Sequence, residues 1–267
     1  MHKRVVFCSY YTPNYKPFAD ALLDSMAKLR LENDIVCIED KGGWTGNVRY
    51  KPTFIREMLQ KHTEADAIVW VDADAVVVSN PERLFKVRED LGVYFKHWEN
   101  SHKWEMLSGT VYVARNESAM RMMDLWIEAM KIAPQTLLKP EQQVLQALLS
   151  IWKCIPVELY NTSDRLMQIL CDTPRGSVSI YRLPASYCFI QRFHLREGPG
   201  VIVHGQASRI WRNPGARRSR RVRMGVDGAM RIHRRRLPRS QLTLEEEQKR
   251  KDHIKAARRR RRKRLGI

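Results

Sequence analysis

The feature that most restricts what this chain can fold into is the run Ala67–Val78, AIVWVDADAVVV, apolar except for two aspartates. Consecutive apolar positions without alternation mark a strand buried on both faces, as in parallel sheets. Ionised carboxylates in such surroundings cost on the order of several kcal/mol each unless something compensates them. At i and i+2 on extended backbone, Asp72 and Asp74 point to the same side. A break near Ala73 would bring both to the carboxyl end of the strand, where open α/β sheets bind ligands. A divalent cation would compensate both; the competing structural role is a strand-end turn with one carboxylate capping backbone amides.

The surrounding pattern supports an α/β chain. Val5 to Cys8 reads as a buried strand, followed by a helix with Phe18, Leu22, Met26 and Leu29 on one stripe and a second strand from Asp34 to Ile38. This is a βαβ opening, with parallel strands and a right-handed crossover expected. A polar loop containing Trp44 and Tyr50 then leads to a helix that Pro52 would start, carrying Phe54, Ile55, Met58 and Leu59. Beyond the aspartates the sequence predicts a helical turn at Pro81–Phe85, a strand at Gly92–Phe95, a loop over HWENSHKWEM and a strand at Gly109–Ala114. Helices are expected at Ser118–Met130 and from Pro140. Alternating strands and helices predict a mixed, mostly parallel sheet flanked by helices.

Charge divides the chain. Between Gly215 and Ile267 there are 21 Lys and Arg against 5 Asp and Glu; residues 1–214 hold 27 against 24. A nearly neutral catalytic domain, 1–214, is therefore expected to carry a basic tail, 215–267, partly disordered with a terminal helix. Apolar periodicity stops after Pro214; the last segment opens with a Thr243/Glu246 capping box and frays into a polycation. Five widely spaced cysteines with no CxxC pairing read as reduced, mostly buried thiols. With no signal-peptide core and no apolar segment of membrane-spanning length, a soluble, cytoplasmic protein is expected.

Lys51-Pro52-Thr53-Phe54-Ile55, then Ile68–Val71, Asp72-Ala73-Asp74, Pro81 and Leu84-Phe85 together resemble the donor-binding half of the GT-A glycosyltransferases of phage, viral or bacterial type. The likeness covers about residues 1–212 and rests on the order and spacing of several motifs. It implies a GT-A, Rossmann-like fold and a nucleotide-sugar donor, with a UDP-sugar expected. Asp72 and Asp74 would coordinate Mn²⁺ or Mg²⁺, and His204, in VIVHGQASRIW, would complete the shell. That segment is similar to the histidine-glycine-basic closing motif of the glycogenin-like and galactosyltransferase-like families, with Arg209 where a lysine is usual. Donor-binding roles are implied for Tyr10, Tyr11, Lys51, Asp72, Ser108, Gly109 and Arg209, and sugar or acceptor contacts for Glu141 and Gln142 in a catalytic role. Each has a bland counterpart: Tyr10 and Tyr11 as core residues, Lys51 as a solvated lysine, Gly109 as a turn residue, Glu141 as a helix-dipole partner. The chemistry suits the residue types independently, because breaking a sugar–phosphate bond builds negative charge on the leaving diphosphate.

The run Arg258, Arg259, Arg260, Arg261, Arg262, Lys263 and Arg264 is the expected nucleic-acid contact, since counterion release drives polycations onto polyphosphate. DNA then becomes a partner, and a hydroxylated base a candidate acceptor, which would have to be flipped or single-stranded. Three alternatives stay open: a glycan, lipid or protein acceptor with the tail on an anionic surface, a nucleotidyltransferase or nuclease, and a non-catalytic nucleic-acid-binding protein. The sugar, the stereochemical outcome and the oligomeric state have no signature in the sequence.

Overall fold

The structure, a computed structural model, describes residues 3–98, 103–134, 136–137, 140–151, 168–190, 194, 198–205, 220–224 and 230–234. The chain divides into two compact units, Met1–Arg209 with Met224–Ala229, and Ile210–Arg223 with Met230–Ile267.

The first unit is built on a seven-stranded sheet. Its strands are β1 (Val5–Tyr11), β2 (Asn33–Cys37), β3 (Ala67–Val71), β5 (Leu91–Trp98), β6 (Lys103–Ala114), β7 (Gln168–Thr173) and β8 (Gly176–Arg182), in the order β2-β1-β3-β6-β5-β8-β7. The pairs β1–β2, β1–β3 and β5–β8 are parallel, and β3–β6, β6–β5 and β7–β8 antiparallel. Five strands therefore run one way, with β6 and β7 opposed, which is the mixed, mostly parallel sheet the sequence predicts. Short β4 (Ala75–Val77) leaves this sheet and pairs antiparallel with β9 (Ile202–His204). Helix α1 (Lys16–Lys28) packs on β2 and β4, while α2 (Gly43–Lys61), α3 (Glu117–Ile132) and α4 (Pro140–Ile151) pack on one another.

Local chemistry accounts for these elements. All of Val5 to Tyr10 and Ala67 to Val71 is buried, as expected of strands covered on both faces. Asn116 caps α3 by accepting from the Ala119 N–H at 2.8 Å, and that helix buries Met122, Met123 and Trp126. Each such side chain contributes about 1.5–3 kcal/mol relative to leaving it in water. No helix among the described residues is long and apolar enough to cross a membrane.

Two expectations are corrected. Pro52 does not start a helix; it lies inside α2, which begins at Gly43 and takes in Trp44 and Tyr50. The cost of an interior proline is offset by packing, because Tyr50 and Phe54 join Tyr10 and Trp70 in one aromatic cluster. The helix is launched by Asp40, whose carboxylate accepts from the Gly42 and Gly43 N–H groups, and both glycines hold a positive φ. Within the expected loop HWENSHKWEM, His97, Trp98 and Lys103–Met106 are instead the end of a long β5–β6 pairing, in which Trp98 sits opposite Lys103. Aromatic residues suit a pleated, half-buried surface, and Trp98 Nε1 donates across it to Glu105 at 2.9 Å. Within the basic segment after residue 215 the described residues are β10 (Arg220–Met224) and β11 (Met230–Arg234), which pair with each other. The expected terminal helix lies outside the described residues.

Candidate active site

The apolar run that contains Asp72 and Asp74 is two strands joined by a turn. The Asp72 N–H makes the last bond to the main sheet, to Gly109 O at 2.9 Å, and Asp72 O then accepts from the Ala75 N–H at 2.9 Å. That turn exchanges one pairing partner for another, from β6 to β9, and places both carboxylates beyond the carboxyl end of β3. This is the end at which α/β sheets bind ligands.

Strand β9 delivers the third group. Its Ala75–His204 pairing and the bond from Gly205 N–H to Asp74 O at 2.9 Å fix His204 beside the turn. One ligand atom from each of Asp72, Asp74 and His204 lies within 4.8 Å of the others. The His204 ring is held from behind, with Nε2 3.0 Å from the Thr110 hydroxyl. Its Nδ1 is buried with no hydrogen-bond partner among the described residues. With Nε2–H given to Thr110, Nδ1 keeps an unshared lone pair, as a ligating histidine requires. Burial pushes the His204 pKa down to about 4, against the pull of Asp72 and aided by Lys51, so the ring is neutral at physiological pH. Two carboxylates and a neutral imidazole are a donor set suited to Mn²⁺ or Mg²⁺. The residues thus fit the expected dication. Asp72 keeps 37 % of its side chain exposed, so the group is open to a ligand from solution.

Gly109 is what lets the imidazole sit there. A Cβ on it would lie 2.8 Å from His204 Cε1 and 2.9 Å from Nδ1, closer than side chains tolerate.

Behind the aspartates lies a buried polar network centred on Lys51. Its ammonium donates to Asp72 Oδ1 at 3.0 Å, Ser108 O at 3.2 Å and Glu141 Oε1 at 3.3 Å, and lies 5.1 Å from the centre of the Trp70 ring. Burial alone would lower its pKa, but Asp72 and Glu141 outweigh it and hold the value above the ordinary one. The Ser108 hydroxyl also donates to Glu141 Oε1, at 3.1 Å. Glu141 Oε2 is buried with no partner among the described residues. Gln142 ties α4 to β6, donating to Glu105 at 2.9 Å.

The structure therefore brings Lys51, Asp72, Asp74, Ser108, Gly109, Glu141, Gln142 and His204 into one neighbourhood. Tyr10 is packed inside the sheet, with its ring centre 4.8 Å from that of Trp70 and its hydroxyl donating to Asn47 O at 2.6 Å. Tyr11, the last residue of β1, is half-buried. Arg209 and the run Arg258–Arg264 lie outside the described residues. Two contributors had no place in the sequence reading. Trp70 Nε1 donates to Asp72 Oδ1 at 2.9 Å, an i, i+2 relation that strand periodicity offered. Thr110 has the same spacing from Ser108 on β6.

The sheet order, the strand break and the acid–histidine group together define a GT-A-like fold. Among solved structures, the chain is similar to a glycosyltransferase involved in the glycosylation of the major capsid of PBCV-1, with a TM-score of 0.56 and 11 % identity over 80 % of this chain and 99 % of that one. It is also similar to the glycosyltransferase GlyE of Streptococcus pneumoniae TIGR4, at a TM-score of 0.45 and 11 % identity, over 77 % of this chain and 55 % of that one. No protein-family model matches the sequence, and no curated protein matches it.

Proposed function

We propose that the chain is a divalent-metal-dependent glycosyltransferase that moves a sugar from a nucleoside-diphosphate donor, a UDP-sugar, to a hydroxyl acceptor. The observation that carries this reading is the grouping of His204, whose buried Nδ1 has no partner among the described residues, with Asp72 and Asp74 at the end of β3. Asp72, Asp74 and His204 would hold Mn²⁺ or Mg²⁺, which when bound supplies positive charge to the departing diphosphate. Glu141 Oε2 offers an acceptor for a sugar hydroxyl, and Ser108 and Lys51 hold that carboxylate in place. Tyr11, at the end of β1, is the aromatic residue available to a nucleobase. The cationic composition of residues 215–267 supports DNA as the bearer of the acceptor, a hydroxylated base.

The test is a panel of nucleotide sugars assayed for Mn²⁺-dependent hydrolysis and thermal stabilisation, alone and with duplex DNA carrying hydroxymethylated bases. One donor should be turned over and should raise Tm. Asp72→Asn should lower that turnover by about a thousandfold or more, since it removes a ligand from the charge-stabilising group. A well-folded chain that neither binds nor hydrolyses any nucleotide sugar would refute the donor assignment. Transfer to a protein or glycan but never to DNA would refute the acceptor alone.

A further inference from the structure

At the end of the sheet opposite the acid–histidine group lies an open cavity of about 320 Å³. Four separate stretches of chain build it: Lys3 just before β1, residues 63–66 before β3, Arg88 before β5, and residues 114–116 where β6 ends. Small-molecule sites of this size are usually walled by apolar side chains. Here the wall is mostly charged and polar, which suits a ligand that is itself charged.

Three cations line the cavity, Lys3, Arg88 and Arg115, each from a different stretch. None of their side chains pairs with a carboxylate among the described residues. The Lys3 ammonium donates to the Tyr112 hydroxyl at 3.4 Å. Arg115 is anchored through Nε, which donates to Leu59 O at 3.3 Å, and its two terminal nitrogens have no partner among the described residues. Elsewhere on the same unit, cations at the surface do have acids in reach, as Arg4, Lys16, Lys61, Lys86 and Arg121 show. Cations gathered from separate elements without acids repel one another, and an anion held between them removes that cost.

The two carboxylates in the wall are engaged at its edge. Asp66 Oδ2 accepts from the Arg4 N–H at 2.8 Å, and Glu64 Oε2 accepts from the Thr63 hydroxyl at 3.1 Å. A carboxylate has about four acceptor positions, so both retain capacity for a hydroxyl donor. A phosphate monoester presents three terminal oxygens and close to two negative charges, which guanidinium groups bind through paired N–H donors. A carboxylate ligand would offer two oxygens and one charge to the same three cations.

We infer that this cavity is a second binding site, for a small phosphate monoester that also carries hydroxyls, the chemistry of a sugar phosphate. Lys3, Arg88 and Arg115 take the phosphate, and Glu64 and Asp66 accept from the hydroxyls. The site is separate from Asp72, Asp74 and His204, and it does not depend on the reaction proposed for them.

The experiment is equilibrium dialysis of the full chain against radiolabelled glucose 6-phosphate, in EDTA and at fixed ionic strength, with folding checked by circular dichroism. EDTA keeps metal ions from the aspartates, and constant salt holds the general attraction of anions to residues 215–267 the same in every protein. Wild type should show one saturable site. Arg88→Glu with Arg115→Glu should weaken it about a hundredfold or more, and Lys3→Gln, the mildest change, about tenfold. The matched control, Lys28→Glu with Lys131→Glu, reverses two exposed lysines in the last turns of α1 and α3 that do not line the cavity. It should bind within about threefold of wild type. Glu64→Ala should lower affinity for glucose 6-phosphate relative to inorganic phosphate by about fivefold, because only the first brings hydroxyls. If the double reversal misfolds, Lys3→Gln against the control decides. Absence of saturable binding in wild type, equal loss in the control, or displacement by an equal concentration of sulfate overturns the inference. An unchanged ratio in Glu64→Ala overturns the assignment of the hydroxyls.

Discussion

The two ends of the central sheet treat charge in opposite ways. Where β1 and β3 begin, Arg4 makes a two-pronged pair with Glu32, at 2.6 and 3.0 Å, and its own N–H donates to Asp66 at 2.8 Å. The Arg4 and Glu32 side chains stay 46 % and 43 % exposed. Where β3 ends, Lys51 and Glu141 form a pair that keeps only 4 % and 8 % exposure, and Lys51 also bonds Asp72, 37 % exposed. Exposed pairs screened by water contribute little to stability. A buried pair is costly to break, because the partner left behind is a buried, uncompensated charge. The contrast separates charge that water screens from charge that only a protein partner offsets.

The first way to break this comparison is to move the imidazole without touching any charge. Gly109→Ala should leave the fold in place and lower Mn²⁺ affinity by about a hundredfold, because the new Cβ meets the ring at His204 Nδ1. Unchanged affinity in a calorimetric titration would show that His204 does not hold the ion.

Acid offers the second handle. His194, fully buried near the ligand-binding end, accepts from the Ile190 N–H at 2.8 Å and lies 3.3 Å from the Tyr94 hydroxyl. Burial, with the nearby Lys96 and His204, pushes its pKa down to about 4. The unfolded chain takes up the proton near pH 6.5 and the folded chain only near 4. The stability contributed by neutral His194 is therefore complete above about pH 7 and is lost progressively as pH falls through that window. On the order of 2 kcal/mol should disappear between pH 7 and pH 4 in urea unfolding of the metal-free protein, and His194→Gln should flatten the fall. A profile identical in the two proteins would contradict the assignment.

The smallest effect belongs at the exposed end. Arg4→Ala should leave the urea midpoint nearly unchanged and Mn²⁺ affinity unaltered, because water screens the pair. A large loss of binding from that substitution would dissolve the distinction between the two ends.

Much of the site was legible before the fold was known. Two acids inside an apolar run demand compensation wherever they sit, and the i, i+2 spacing already put Asp72 and Asp74 on one side. His204 could be paired with them only through the resemblance of its closing motif, since no local pattern joins it to residues so distant in sequence. Lys51 was placed near the donor but not under it. Its burial follows from α2 beginning at Gly43, a start hidden by the presence of Pro52 inside the helix. The Gly109–His204 approach and the Thr110 bond are contacts across the chain, set by the pairing of β4 with β9, and period or propensity carries no trace of them. The end of β5 and the start of β6 read as a loop for a simpler reason: polar residues interleaved with Trp98 and Trp104 look like one until their partners on the facing strand are known.

The short β4–β9 ladder gives the proposed ion a second consequence. His204 enters the molecule on a three-residue strand whose partner is the equally short piece that follows the aspartates. A dication seated there would tie a late stretch of chain to an early one, acting as a clasp whose strength adds to the few backbone bonds of that ladder. During synthesis the clasp has nothing to close upon until residue 204 emerges, so ion uptake by nascent chains would mark the moment at which this part of the protein is complete.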